Sequence, residues 1–185
     1  MWTVLLGNNG DGKSTLLRSI GTAAVLAQAG GPVCAASLTM SPLRVRTSLQ
    51  VRDSVRGGTS RFFAELHKLR EVVADARKDA AVLFLLDEVL HGTNSRERVI
   101  GARWLAQTLL EAGSIGAIST HDLELCRLQG SLADLVQTVH FCEEAREGKL
   151  VFDFKLRPGP VREGNALRLM RQLGLAVPEE PTPPG

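Results

Sequence analysis

Tyrosine is absent from this chain, and its other aromatics amount to two tryptophans and six phenylalanines. Little is left from which to build a broad stacking platform for single-stranded nucleic acid or sugar. Cysteine is nearly as scarce. Cys34, Cys126 and Cys142 are odd in number, far apart and form no C-x-x-C, which argues against both a zinc site and a disulfide framework and makes a reducing cytosol the default. An excess of either charge is also lacking. Lysine and arginine total 22 against 20 acidic residues, so the net charge of +2 makes no electrostatic case for direct contact with nucleic acid and does not exclude it. No apolar run approaches the roughly 18 to 20 residues of a membrane span. The N-terminus has no basic region followed by an apolar stretch, as a secretion signal would. The chain therefore reads as soluble and cytoplasmic, with no membrane partner. At 185 residues, 44% of them hydrophobic, it can bury one proper core but hardly two.

What is present alternates. "MWTVLL" is an apolar run of strand length that stops at Gly7, and Lys13 to Gln28 then repeats Leu16, Leu17, Ile20, Ala24 and Ala27 at helical spacing. "LRVRTSLQVR" sets Leu43, Val45, Leu49 and Val51 against Arg44, Arg46, Gln50 and Arg52, the pattern of a half-exposed strand or hairpin whose arginine face is solvated. Ser60 is placed to cap a helix from about Arg61 to Arg77 with Phe62, Leu66, Leu69, Val72 and Val73 as its buried stripe. "VLFLL", Val82 to Leu86, is continuously apolar, as a strand covered on both faces must be. Asn94 followed three residues later by Glu97 predicts a helix start of the capping-box kind, with the helix running to about Glu111. "IGAIST" is a further buried strand, His121 to Leu128 a short helix closed by Gly130, and "LVQTVHF" and "LVFDFKL" two strands turning near Gly148. A last helix over about Asn165 to Leu173 precedes a proline-rich tail. The expected organisation is one α/β domain over 1–176, with a mostly parallel sheet flanked by helices, and a disordered segment over 177–185.

The chemistry is concentrated where strands end. Gly7, Gly10, Gly12, Lys13 and Ser14 satisfy G-x-x-x-x-G-K-[ST]. Glycines let the backbone curl until successive N–H groups point at phosphate oxygens, and the following helix adds its positive end. In that reading Gly7, Asn8, Asn9, Gly10, Asp11, Gly12, Lys13, Ser14 and Thr15 hold the phosphates. Lys13 reaches the β and γ phosphates, and the Ser14 hydroxyl binds Mg²⁺. Its confirming context, a strand before and a helix after, is predicted here. Asp87 and Glu88 end an apolar strand, which would bring a carboxylate beside the loop of a neighbouring parallel strand. Asp87 would hold Mg²⁺ and Glu88 polarise the attacking water. His121, at the end of "IGAIST", can donate to the γ phosphate. His67 and His140 receive no role, and His91 none beyond possible proximity.

Taken together, "GNNGDGKSTLLRSIG", "GGTSRFFAEL", "LLDEVLHGTNSRE", "STHDLEL" and "KLRPGPVREGNALRLMRQLGL" resemble, in order and spacing, the C-terminal ATPase domain of the MutS family of DNA mismatch-repair proteins, over nearly the whole chain. The resemblance implies a P-loop NTPase of the ATP-binding-cassette type that binds ATP or ADP with Mg²⁺. By position, Lys13, Glu88 and His121 become catalytic, and Ser14 and Asp87 hold the metal. Ser60 would reach the nucleotide of a second subunit, so that a homodimer completes two ATP sites. Departures point to a divergent branch: Arg61 follows Ser60 where the family carries threonine, Asn94-Ser95 stand where mismatch binders carry Ser-Thr, and Asp122 follows His121 where they carry tyrosine. The family's mismatch-reading, connector, lever and clamp regions precede its ATPase, and no Phe-x-Glu wedge occurs here. The chain accordingly reads as a truncated gene model, a fragment or an isolated engine, touching DNA through regions it does not itself contain. The family's dimerising C-terminal helices also have no counterpart.

Two other functions remain open at this level. One is a nucleotide-dependent dimerisation switch with little hydrolysis and no DNA contact, for which Ser60 and Arg61 speak. The other is the ATP-binding half of a transporter, against which stands the lack of an LSGGQ-type signature.

Overall fold

The computed structural model describes residues 2–6, 12–49, 61–78, 81–122, 135–146, 149–160, 170 and 174. Strand β1 (Trp2–Leu6) leads to helix α1 (Lys13–Gln28), β2 (Arg44–Ser48), α2 (Arg61–Ala76), β3 (Val82–Asp87), α3 (Ser95–Glu111), β4 (Ile115–Thr120), β5 (Val136–Arg146) and β6 (Lys149–Pro158). The six strands form one sheet in the order β2-β3-β4-β1-β5-β6. β1 to β5 run parallel, and β6 returns antiparallel against β5, with an irregularity between Phe141 and Glu143.

The alternation of side chains along β3 sorts the helices into layers. Val82, Phe84 and Leu86 face one side, packing with Leu69, Val72, Val73 and Ala76 of α2 and with Ala102, Leu105, Ala106 and Leu109 of α3. Leu83 and Leu85 face the other, with Leu17 and Ala24 of α1, Ala117 of β4 and Val139 of β5. Every residue of β3 is buried, so a continuously apolar strand was required. The result is a sheet between α1 on one face and α2 with α3 on the other, the α/β layering expected of alternating elements. Among the described residues, no helix is long and apolar enough to cross a membrane.

Several expectations need correction. β3 does not neighbour β1, because β4 lies between them, so the strand that ends in Asp87 is not the neighbour of the strand before the glycine loop that the sequence reading expected. Leu66 is exposed, and Ala76 completes the buried stripe of α2 in its stead. The arginine face of β2, a parallel edge strand, is not simply solvated: Arg46 donates to Asp75 of α2 through Nε at 2.6 Å, and Arg44 approaches the same carboxylate at 3.6 Å. The predicted helix after His121, the last helix apart from Met170, the tail over 177–185, residues Gly7 to Asp11 and Ser60 lie outside the described residues.

Candidate functional site

A parallel sheet delivers all its strand ends to one rim, and register decides which residues meet there. Leu6 pairs with Thr120, and Ser119 pairs with Asp87. The ends of β1, β3 and β4 thus lie at the same level of the sheet, with Glu88 directly after Asp87 and His121 directly after Thr120.

On the β1 side, Gly12 caps α1 with φ of 92°, a left-handed turn suited to glycine, and accepts the Leu16 N–H at 2.9 Å. The ring of Phe154, an exposed residue of β6, lies so close that a Cβ on Gly12 would meet it at 3.3 Å. Lys13 is buried to 5% exposure, an unusual position for an ammonium group, while Ser14 is half-buried and Thr15 exposed.

On the β3 side, Ser119 organises both acids. Its hydroxyl donates to the Asp87 carboxylate in a short hydrogen bond. The same oxygen accepts the Glu88 N–H at 3.1 Å, and so does the Ser119 carbonyl, also at 3.1 Å. Asp87 is buried and Glu88 half-buried. Glu88 has φ of 48°, a left-handed conformation that costs a non-glycine residue about 1–2 kcal/mol. The turn swings its carboxylate between two imidazoles. Oε2 lies 2.9 Å from His91 Nε2, and Oε1 lies 3.7 Å from His121 Nδ1. The two rings are 5.2 Å apart and tilted by 41°.

The loop that carries His91 is clamped from both helices. The Leu90 N–H donates to Glu65 of α2 at 2.5 Å, and Leu90 is itself buried with φ of 61°. A Cβ on Gly92 would stand 2.6 Å from the Phe62 side chain, so only glycine lets α2 come this close. Asn94 accepts the Glu97 N–H at 3.0 Å as the capping pattern predicts, whereas the Glu97 carboxylate takes the Thr93 hydroxyl. Asp122 donates its N–H to Thr120 Oγ1 at 3.0 Å and lies 3.7 Å from Arg98 of α3.

Sequence reasoning singled out Lys13, Ser14, Asp87, Glu88 and His121, and the fold brings the elements that carry or precede them, α1, β3 and β4, to one rim. It missed Ser119 and Glu65 and left His91 without a role. The only signal for Ser119 was a hydroxyl near the end of an otherwise apolar strand. His67 is an exposed residue of α2 in edge contact with Phe63, and His140 bonds the Gly159 carbonyl at 2.8 Å, so neither belongs to the site.

A buried carboxylate oriented by a serine hydroxyl, together with the hydroxyl of Ser14 across the rim, is a set of hard oxygen donors that fits Mg²⁺. The family described as MutS domain V matches residues 3–180. The chain belongs to it. It is 33% identical over 174 residues to the DNA mismatch repair protein MutS of Thermus thermophilus, covering 93% of this chain and 21% of that protein. To the DNA mismatch repair protein MutS 2 of Haloarcula marismortui it is 30% identical over 174 residues, 93% of this chain and 18% of that protein. With MutS of an Exiguobacterium species it shares 35% over 163 residues, or 84% and 18%. It thus spans about a fifth of the length of these MutS relatives. One departure from the MutS pattern now has a structural counterpart: Asp122, at a position where mismatch binders carry tyrosine, faces Arg98 and ties the end of β4 to α3.

Proposed function

We propose that this MutS domain V is an ATPase module of the P-loop, ATP-binding-cassette type, serving DNA mismatch repair or the binding of DNA structures in the cytoplasm. The carrying observation is the Ser119 bridge, which holds two adjacent acids of different burial on the rim that also carries the buried Lys13. The backbone N–H groups from Gly7 to Thr15 cradle the phosphates of ATP, and Lys13 neutralises their charge. Ser14 and Asp87 hold Mg²⁺, which when bound offsets the charge of the β and γ oxygens. Glu88 orients a water molecule and takes its proton as the water oxygen bonds to the γ phosphorus. The bond from that phosphorus to the bridging oxygen breaks, and ADP and phosphate leave. His121 donates to a γ-phosphate oxygen. Ser60 supplies its hydroxyl to the nucleotide of a second subunit, so a homodimer has two composite sites, and DNA is engaged through other parts of a longer protein.

The division of labour is testable by steady-state ATPase assay and nucleotide titration. Lys13→Ala is expected to lose nucleotide binding. Glu88→Gln is expected to keep it while turnover falls about 10²- to 10⁴-fold, the usual contribution of a general base. Turnover by Glu88→Gln at the parent rate would remove the base assignment.

A second reading has its own observation. His91, at 2.9 Å, already engages the Glu88 carboxylate, and a glutamate held in this way suits a nucleotide-dependent dimerisation switch with little hydrolysis and no direct DNA contact.

A further inference from the structure

We propose that Glu88, His91 and His121 form a binding site for a zinc-class divalent cation, distinct from the magnesium position, and that its occupation competes with hydrolysis. The site follows from the three side chains themselves; only the effect on turnover rests on the role proposed for Glu88.

The donor set selects the ion. Two imidazole nitrogens and one carboxylate are borderline donors that favour Zn²⁺ and its neighbours, whereas Mg²⁺ takes oxygen and gives up water reluctantly. The hydroxyl of Ser14 and carboxylate of Asp87 lack any nitrogen, so the two positions sort two kinds of cation. The scarcity and spacing of cysteine spoke against zinc, but histidine needs no cysteine partner to hold it.

The geometry is close to what the ion requires. One ligand atom from each residue lies within 4.8 Å of both others. Zinc with ligands at about 2.0–2.2 Å in a tetrahedral arrangement sets them roughly 3.3–3.6 Å apart. His91 Nε2 lies 2.9 Å from Glu88 Oε2 and His121 Nδ1 lies 3.7 Å from the other oxygen, Oε1, so a turn of the side chains must bring both nitrogens to the one oxygen that coordinates. The remaining adjustment falls on two exposed rings, with side-chain exposures of 36% for His91 and 42% for His121, which can turn without disturbing the core. The backbone beneath them is fixed. Ser119 pins Glu88, Glu65 pins Leu90, and β4 carries His121. Three protein ligands facing the open rim leave the fourth tetrahedral position to water, the pattern of an accessible zinc centre. A cation there takes both Glu88 oxygens out of play, one by coordination and the other by the altered orientation, and leaves no base for the attacking water.

The test uses the whole chain with Cys34, Cys126 and Cys142 changed to serine, so that thiols do not bind the probe. Calorimetric titration with zinc chloride in the absence of nucleotide is expected to give one ion per chain. Loss of an outer partner of a metal ligand weakens binding 10- to 100-fold, so His91→Ala and His121→Ala, each removing a ligand, should weaken it at least about tenfold. Circular dichroism confirms that each variant is folded. In the ATPase assay at buffered free zinc, the inhibition constant should rise in His91→Ala by the same factor as the dissociation constant. No stoichiometric binding, or binding indifferent to both substitutions, overturns the site. Binding without inhibition of an active enzyme overturns the competition. Binding weakened by both variants in a chain that never hydrolyses ATP upholds the site and sinks the hydrolysis reading instead.

Discussion

Ser119 is the residue on which the two acids depend. Its hydroxyl faces a buried carboxylate and a backbone N–H at once; its removal leaves Asp87 short of that donor, while the Glu88 N–H keeps the Ser119 carbonyl. Hydrogen bonds to charged groups contribute about 1.5–3 kcal/mol each, and an unsatisfied buried carboxylate loses that in full. Ser119→Ala is therefore expected to lower unfolding free energy in urea by about 1.5–3 kcal/mol and to reduce turnover more than nucleotide affinity. Unchanged stability would mean that Asp87 finds another donor. The contrast with Asp87 and Glu88 explains what a sequence can reveal at this scale. An acid at the end of an apolar run stands out because nothing else explains its position. A serine in "IGAIST" does not, because its importance comes from the register Asp87↔Ser119, a contact 32 positions away in the chain. His91 was obscure for a related reason: only the left-handed turn at Glu88 folds the carboxylate back toward a residue three positions on.

The helices and strands were readable almost to the residue wherever local chemistry sets their limits. α1 spans Lys13–Gln28 and α3 begins at Ser95 behind its Asn94 cap, as spacing and capping predict. Strand order was not readable, because nothing local in β3 says that β4 will lie between it and β1. The edge strand β2 was misjudged because its arginines find a partner on another element. The Arg46 guanidinium, by hydrogen bond first and by charge second, and then Arg44 and Lys78, hold the Asp75 carboxyl below its ordinary value of 3.8 against the opposing effect of burial. A carboxylate whose folded value is depressed contributes stability above its unfolded value, and that contribution is lost as pH falls through the folded one. Thermal unfolding of the parent and Asp75→Asn should accordingly differ most at neutral pH, with the parent higher, and the gap should close as pH falls below about 3.8. A gap independent of pH would show that the carboxylate is not the stabilising form.

At the scale of the molecule, the sheet presents the candidate site on a single rim, and the proposed trans role of Ser60 requires two such rims to meet. Sedimentation of Glu88→Gln should show a monomer without nucleotide and a dimer with Mg·ATP, since binding persists when turnover is blocked. A monomer under both conditions removes the composite site for this chain. The same one-sidedness has a practical use. The connection from α1 to β2 runs past the far ends of the strands, and there Cys34 offers an exposed thiol. With Cys126 and Cys142 exchanged for serine, a maleimide dye at Cys34 would sit away from that rim, able to report pairing between copies through energy transfer while leaving Lys13 and Glu88 untouched.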